Sequence, residues 1–272
     1  MPGSAHRKPR KDDDVQRAAA YSRTKEWLVL IGMTWSALTS ALALTTGSSS
    51  RLRRWAERVA PTRLGPVMPY TLVAGILGFM TSLPLSYFGG FVVEHRYDLS
   101  NQTRRAWMIE GLKGLGVSLA LGAPLAQGVY WVIRRYPQRW WAVLSGALVP
   151  FTIILSNLAP VLLMPLFNKF EPLRDRALAK RITDLAAGEG VRVSDVLQMD
   201  MSKQTKKANA MFTGVGNTKR IILADTLLNE FTADEVEVVL AHELGHQVHR
   251  DLWKLIGLQV PVTLVTFFAA HR

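Results

Sequence analysis

Apolar residues in this chain gather into long uncharged runs. The first spans Trp27–Leu44, and the second, Leu64–Val93, lies between Arg63 and Glu94. The third, Gly114–Ile133, lies between Lys113 and Arg134, and the fourth, Trp140–Asn168, between Arg139 and Lys169. A fifth begins at Leu255 and continues to His271 and Arg272. About 20 apolar residues, rising about 1.5 Å each, cross the hydrocarbon of a bilayer, so these runs predict transmembrane helices. Buried helices of a large soluble protein are the competing explanation, and four such runs before Lys169 weigh against it. The second and fourth runs exceed what a bilayer needs, so tilting, kinking or interfacial ends are expected. Pro84, Pro150, Pro160 and Pro165 are read as helix termini within them rather than as a broken-helix binding site. Trp27, Trp131, Trp140 and Trp141 fall near span ends, where aromatic rings favour the interface.

Residues 169–254 have a different pattern. Ala177, Ile182 and Leu185 give helical spacing over Arg174–Ala187, with Gly188 and Gly190 as the stop. Short strand-like runs follow at Asp195–Met199, Asn209–Thr213 and Arg220–Leu223, and Gly214, Gly216 and Asn217 supply a hairpin turn between the last two. Thr232-Ala233-Asp234-Glu235 is a capping box opening a helix through Val236, Val239, Leu240 and Leu244. The expected fold is therefore mainly α: a polytopic membrane protein in which a transmembrane helix bundle carries an inserted small α+β domain. Residues 1–26 form a basic tail, 27–168 four spans, 169–254 the inserted domain and 255–272 the start of a fifth transmembrane helix.

Composition narrows the chemistry. The absence of Cys excludes a disulfide scaffold, thiol catalysis and thiolate metal ligands. The net charge of +12 over 272 residues would suggest nucleic acid in a soluble protein. Beside these spans it points instead to lipid headgroups, with no nucleic-acid partner. Basic residues are more numerous across the N-terminal tail, the second loop and the segment after the fourth span together than in the intervening loops, which favours a cytoplasmic N-terminus and a cytoplasmic inserted domain. Ala41-Leu42-Ala43 would fit a signal-peptide cleavage site, but the lead and apolar core are long for one, and an uncleaved anchor is expected.

The capped helix carries His242-Glu243-Leu244-Gly245-His246. Imidazoles four residues apart lie about 40° apart around a helix and about 6 Å along it, so both can reach one metal ion. Glu243, on the flank, can hold and deprotonate a metal-activated water, then pass the proton to the leaving amine. One Zn2+ per chain is expected, with His242 and His246 as ligands and Glu243 as the catalytic base, the arrangement of a zinc peptidase. A catalytic zinc takes three protein ligands. His249 lies about 10.5 Å along the helix from His242 and cannot share the ion, so it is read as a solvated or second-shell group. A metzincin would need His at 252, where Leu252 stands. His6, His95 and His271 are read as bystanders, Ser202 has no partner base, and the cations at Lys206, Lys207, Lys219 and Arg220 read as a solvated face. The chain stops inside an apolar run, so the third ligand is expected beyond Arg272.

These residues resemble the CAAX prenyl protease 1 family, integral-membrane zinc metalloendopeptidases of the gluzincin type. The resemblance is carried by Leu83–Tyr87 with Glu94–Gln102, by Pro165–Leu173, by Ser202-Lys203 with Ala208–Gly214, by Lys219–Leu228 and by Ala241–His246. It implies that Asn209 and Ala210 lie on an edge strand that pairs with the substrate backbone. It also implies a third ligand, a Glu in a later motif, so that this stretch alone is inactive, and a zinc chamber walled by helices. Substrates would be peptides of membrane-associated proteins, either prenylated CAAX proteins or misfolded membrane proteins, in a bacterial inner membrane. The alternatives are a non-catalytic binding or chaperone module that keeps the protease fold, and a transporter with a structural zinc. The transporter has little support, because the spans lack the ionisable residues of an ion path.

Overall fold

The structure, a computed structural model, describes residues 11–63, 65–214 and 219–272. The chain divides into two compact units, one up to Ser100 and one from Asn101.

In the first unit α1 spans Lys11–Thr45 and α2 spans Ser48–Val59. Helix α3, Val67–Tyr87, runs on through a π-helical turn, Phe88–Val92, into α4, Val93–Arg96. Helix α1 starts well before Trp27, because Arg17, Arg23 and Lys25 are compatible with a helix whose charged side chains find partners. Lys25 Nζ lies 3.0 Å from Glu94 Oε1, and the Tyr21 hydroxyl donates to the same oxygen at 2.8 Å. Lys25 also donates to the Gly89 carbonyl within the π-helical turn. Pro84 is no terminus, since it lies inside α3 just ahead of that turn. The π-helical turn beyond it is a wider winding of the kind that relieves strain in a helix backbone.

In the second unit α5 spans Arg104–Arg135, its first turn capped by the Thr103 hydroxyl, which accepts from the Ala106 N–H. Helix α6, Trp140–Leu158, continues through a π-helical turn, Ala159–Leu163, and a short 3-10 turn, Met164–Leu166. Pro150 is likewise mid-helix rather than terminal, whereas Pro160 and Pro165 do open the π-helical and 3-10 turns. The chain then forms β1 (Phe170–Pro172), α7 (Arg176–Gly188), β2 (Asp195–Met199), β3 (Ala210–Thr213), β4 (Arg220–Ala224), α8 (Asp225–Glu230), α9 (Ala233–Val248) and α10 (Asp251–His271).

Among the described residues five helices are long and apolar enough to cross a membrane: Val15–Thr45, Val67–Arg96, Arg104–Arg135, Trp140–Leu166 and Asp251–His271. They turn their apolar side chains outward, Met80 being 62 % exposed, Leu162 56 % and Leu258 66 %. Such surfaces require hydrocarbon around them. The chain is thus a mainly α, multi-pass integral membrane protein with a small sheet-containing insertion. Within the second unit α6 and α10 run antiparallel, with Trp140 against Phe267 and His271 and Trp141 against Phe268.

The sheet has the order β1-β2-β4-β3: β1 antiparallel to β2, β2 parallel to β4, and β4 antiparallel to β3. The expected hairpin is the β3–β4 pair, and its turn residues Gly216 and Asn217 lie outside the described residues. Strand β1 carries no sequence signal, being three residues that end on a proline. The core under the sheet joins Leu178 and Ile182 of α7, Ile221 and Leu223 of β4, and Val236 and Leu240 of α9. Each such side chain stabilises the insertion by roughly 1.5–3 kcal/mol. Arg181 of α7 pairs with Glu237 and Asp234 of α9, which raise its pKa in that order.

The capping box of α9 is formed. The Glu235 carboxylate accepts the Thr232 N–H at 2.8 Å and the Thr232 hydroxyl, and these bonds hold Glu235 below the usual glutamate range. Thr232→Ala is expected to destabilise the insertion by ~1 kcal/mol, read as a lowered unfolding temperature. A depressed carboxylate pKa favours the folded state above its unfolded value, about 4.3, and that gain is lost as pH falls through the folded value. The unfolding temperature of the wild type should therefore fall more steeply below about pH 4.3 than that of Thr232→Ala.

Candidate metal centre

Helix α9 is amphipathic with a period that decides where the histidines point. Val236, Leu240 and Leu244 recur every four residues and are buried. His242 and His246 each follow a buried leucine by two positions, about 200° round the helix, so they occupy its outward face. Their ring centroids are 4.9 Å apart and the planes cross at 82°. Two imidazoles on a tetrahedral zinc with ~2.0–2.1 Å bonds have centroids roughly 5 Å apart, so the pair fits a shared zinc. Glu243 is the next residue round the helix from His242 and is half-buried.

His246 has a partner that the sequence reading did not include. Its Nδ1 lies 2.8 Å from Asp251 Oδ2, and Lys254 Nζ donates to the other carboxylate oxygen at 2.9 Å. On an unbroken helix, residues five apart point about 140° away from each other. Here α9 ends at Val248, Arg250 adopts a left-handed backbone (φ 56°, ψ 39°), and α10 restarts at Asp251. That conformation costs a non-glycine residue roughly 1–2 kcal/mol. The signal available in the sequence was an Asp followed three residues later by Lys254 at the head of an apolar run, the acidic first turn of a new helix. His249 is the exposed C-cap of α9 and contacts neither His242 nor His246 among the described residues.

His246 lines a cavity of about 590 Å³ with Gln247 and Trp253 from the α9–α10 corner, Phe212 and Thr213 from β3 and Gly214 just beyond it. Strand β3 is one edge of the sheet and β1 the other. The Asn209 carbonyl accepts the Ala224 N–H at 2.9 Å, which points Asn209 and Met211 at β4. By the alternation of an antiparallel ladder, the backbone groups of Ala210 and Phe212 point to the open side. Asn209 is exposed just ahead of the strand, while the Ala210 side chain is buried in the core. Ser202 is held by Asp225, which accepts both its N–H and its hydroxyl, so it anchors a loop. Among the described residues no three His, Cys, Asp or Glu side chains are grouped to hold an ion.

Comparison with known proteins places this arrangement. Residues 3–169 match the model described as CAAX prenyl protease N-terminal, five membrane helices, and residues 172–272 match peptidase family M48. The chain belongs to peptidase family M48. Of the five helices in that description, four stand in the described part of the matched stretch, and the other helix long enough to cross is α10. The chain is 29 % identical over 262 residues to an uncharacterized metalloprotease, YhfN, of Bacillus subtilis, covering 96 % of this chain and 61 % of that protein. It is 30 % identical over 246 residues to CAAX prenyl protease 1 of Saccharomyces cerevisiae, covering 86 % and 54 %. The crystal structure of Ste24p from S. mikatae superimposes with a TM-score of 0.84 at 26 % identity, over 95 % of this chain and 62 % of that one. The chain thus spans about three fifths of the length of these M48 relatives.

Proposed function

We propose that this M48 chain carries the core of a membrane-embedded zinc metalloendopeptidase. The observation that carries the reading is the His242–His246 pair on the outward face of α9, with Glu243 beside it and His246 in one cavity with the edge strand β3. His242 and His246 would hold the ion, with a third ligand supplied from outside residues 1–272. Zinc, when bound, supplies Lewis acidity that polarises the scissile carbonyl and acidifies a water. The chain's own residues then divide the remaining work. Glu243 takes a proton on its carboxylate and returns it to the departing amine nitrogen, so that no net proton is stored. The outward N–H and C=O groups of Ala210 and Phe212 pair with an extended substrate backbone, while Asn209 offers its side chain at the mouth of the same edge. Lys219 and Arg250 line the cavity and, among the described residues, no carboxylate does, which suits a substrate that carries an anionic group near the cleaved bond.

The substrates that fit a site at the head of a membrane helix are membrane-associated proteins, prenylated CAAX proteins or misfolded membrane proteins. The similarity to CAAX prenyl protease 1 of Saccharomyces cerevisiae favours the CAAX class. The reading places residues 169–254 as the peptidase domain on the cytoplasmic side of a bacterial inner membrane, in keeping with the density of Lys and Arg around it. The test is metal removal from the protein purified with any residues that follow Arg272 in its gene. A reporter peptide should be cleaved, chelation should abolish cleavage, and Zn2+ should restore it. Cleavage that survives chelation, or no cleavage of any peptide by the zinc-loaded protein, would overturn the reading.

A further inference from the structure

We propose that Asp251 is a positioning residue for the metal centre, fixing the tautomer and orientation of His246 from the first residue of a membrane-spanning helix. The inference rests on the zinc reading above and adds a residue to it. An ionised carboxylate can only accept hydrogen bonds, so the 2.8 Å contact between Asp251 Oδ2 and His246 Nδ1 places the imidazole proton on Nδ1. The lone pair of Nε2 is then free for an ion, and the ring cannot rotate without breaking the contact. Lys254 holds the other oxygen of the same carboxylate, so Asp251 is itself fixed within the first turn of α10. The left-handed Arg250 between the two helices is what folds Asp251 back over His246. Such a backbone persists only where its surroundings demand it. His242 has no comparable partner among the described residues, so the orientation of the pair is set through His246. Because α10 packs along α6 through Phe267 and Phe268, the ligand is anchored to a helix pair that lies in the bilayer.

The experiment uses the full chain in detergent with Glu243→Gln as background, so that its readouts do not depend on peptide cleavage. Histidine 15N spectra of the metal-free protein at about pH 8, where an ordinary imidazole is neutral, report the tautomer. Titration with Zn2+ against a chromophoric chelator reports affinity. His246 should be the Nδ1–H tautomer in the background protein and shift toward Nε2–H in Asp251→Ala, with Zn2+ binding weakened about 10- to 100-fold. Asp251→Asn, whose amide oxygen still accepts, should keep the Nδ1–H tautomer and lose less affinity. Lys254→Gln, which removes one support of the carboxylate but leaves its contact with His246, should move each readout less than Asp251→Ala. An unchanged tautomer or an unchanged Zn2+ affinity in folded Asp251→Ala overturns the proposal, as does a lowered unfolding temperature with neither readout moved. If Asp251→Ala fails to fold, the Asp251→Asn spectrum decides, because a switch to Nε2–H there is equally fatal. Absence of peptide cleavage by the zinc-loaded protein with Glu243 intact would instead count against the hydrolytic reading and leave this one standing.

Discussion

Glu243→Gln is expected to lower peptide hydrolysis by about 10²- to 10⁴-fold while the protein binds zinc as before. That loss corresponds to about 3–5.5 kcal/mol of transition-state stabilisation. Glutamine matches glutamate in volume and helix propensity, and the position lies between the buried Leu240 and Leu244 and the outward histidines, so α9 should fold unchanged. What glutamine lacks is a basic oxygen that can take a proton and give it back. The decisive measurement is kcat at saturating peptide together with the zinc-to-protein ratio. A full metal complement with turnover reduced by orders of magnitude assigns Glu243 to proton transfer. Loss of zinc alongside turnover would show that Glu243 holds the ion. Undiminished turnover would remove the hydrolytic reading.

The chemistry-bearing helix was legible because its signals are local. The Thr232 and Glu235 cap lies within one turn, and the spacing of His242 and His246 needs only the rotation of a helix to be read as one face. The spans were legible for a similar reason, since a bilayer imposes length on uncharged runs. The ends of those spans were less so: α1 begins at Lys11 rather than Trp27 because Lys25 finds Glu94, a partner far along the chain. As prolines in apolar runs, Pro84 and Pro150 suggest helix termini, yet both lie within helices. In a membrane helix the carbonyl freed by proline can be satisfied by local rewinding, and the π-helical turn after Pro84 shows such rewinding nearby. Strand β1 exists only because β2 is there to pair with it. Asp251 was invisible on a helix assumed continuous, and it became a neighbour of His246 only through the backbone turn at Arg250.

Replacing His242 or His246 by Ala should abolish both zinc retention and hydrolysis, whereas His249→Ala should leave both intact. The contrast follows from the winding of α9. His242 and His246 stand on one face with centroids 4.9 Å apart, while His249 is seven residues from His242, about 10.5 Å along the axis. An ion bonded at ~2 Å to each nitrogen cannot span that rise. Loss of an outer-shell partner of a metal ligand costs about 10- to 100-fold in affinity, so removing a ligand itself should cost more. The two ligand variants should also differ from each other in one respect. His246→Ala leaves Asp251 paired with Lys254 alone and removes a tie between α9 and α10, so it should lower the unfolding temperature of the metal-free protein. His242→Ala breaks no such tie and should leave that temperature close to wild type. Zinc titration and metal-free thermal unfolding of the three variants, run side by side, separate the two roles. Zinc lost from His249→Ala but kept by His242→Ala would mean that the ion is held elsewhere on the helix, and the pairing of His242 with His246 would then have no part in catalysis.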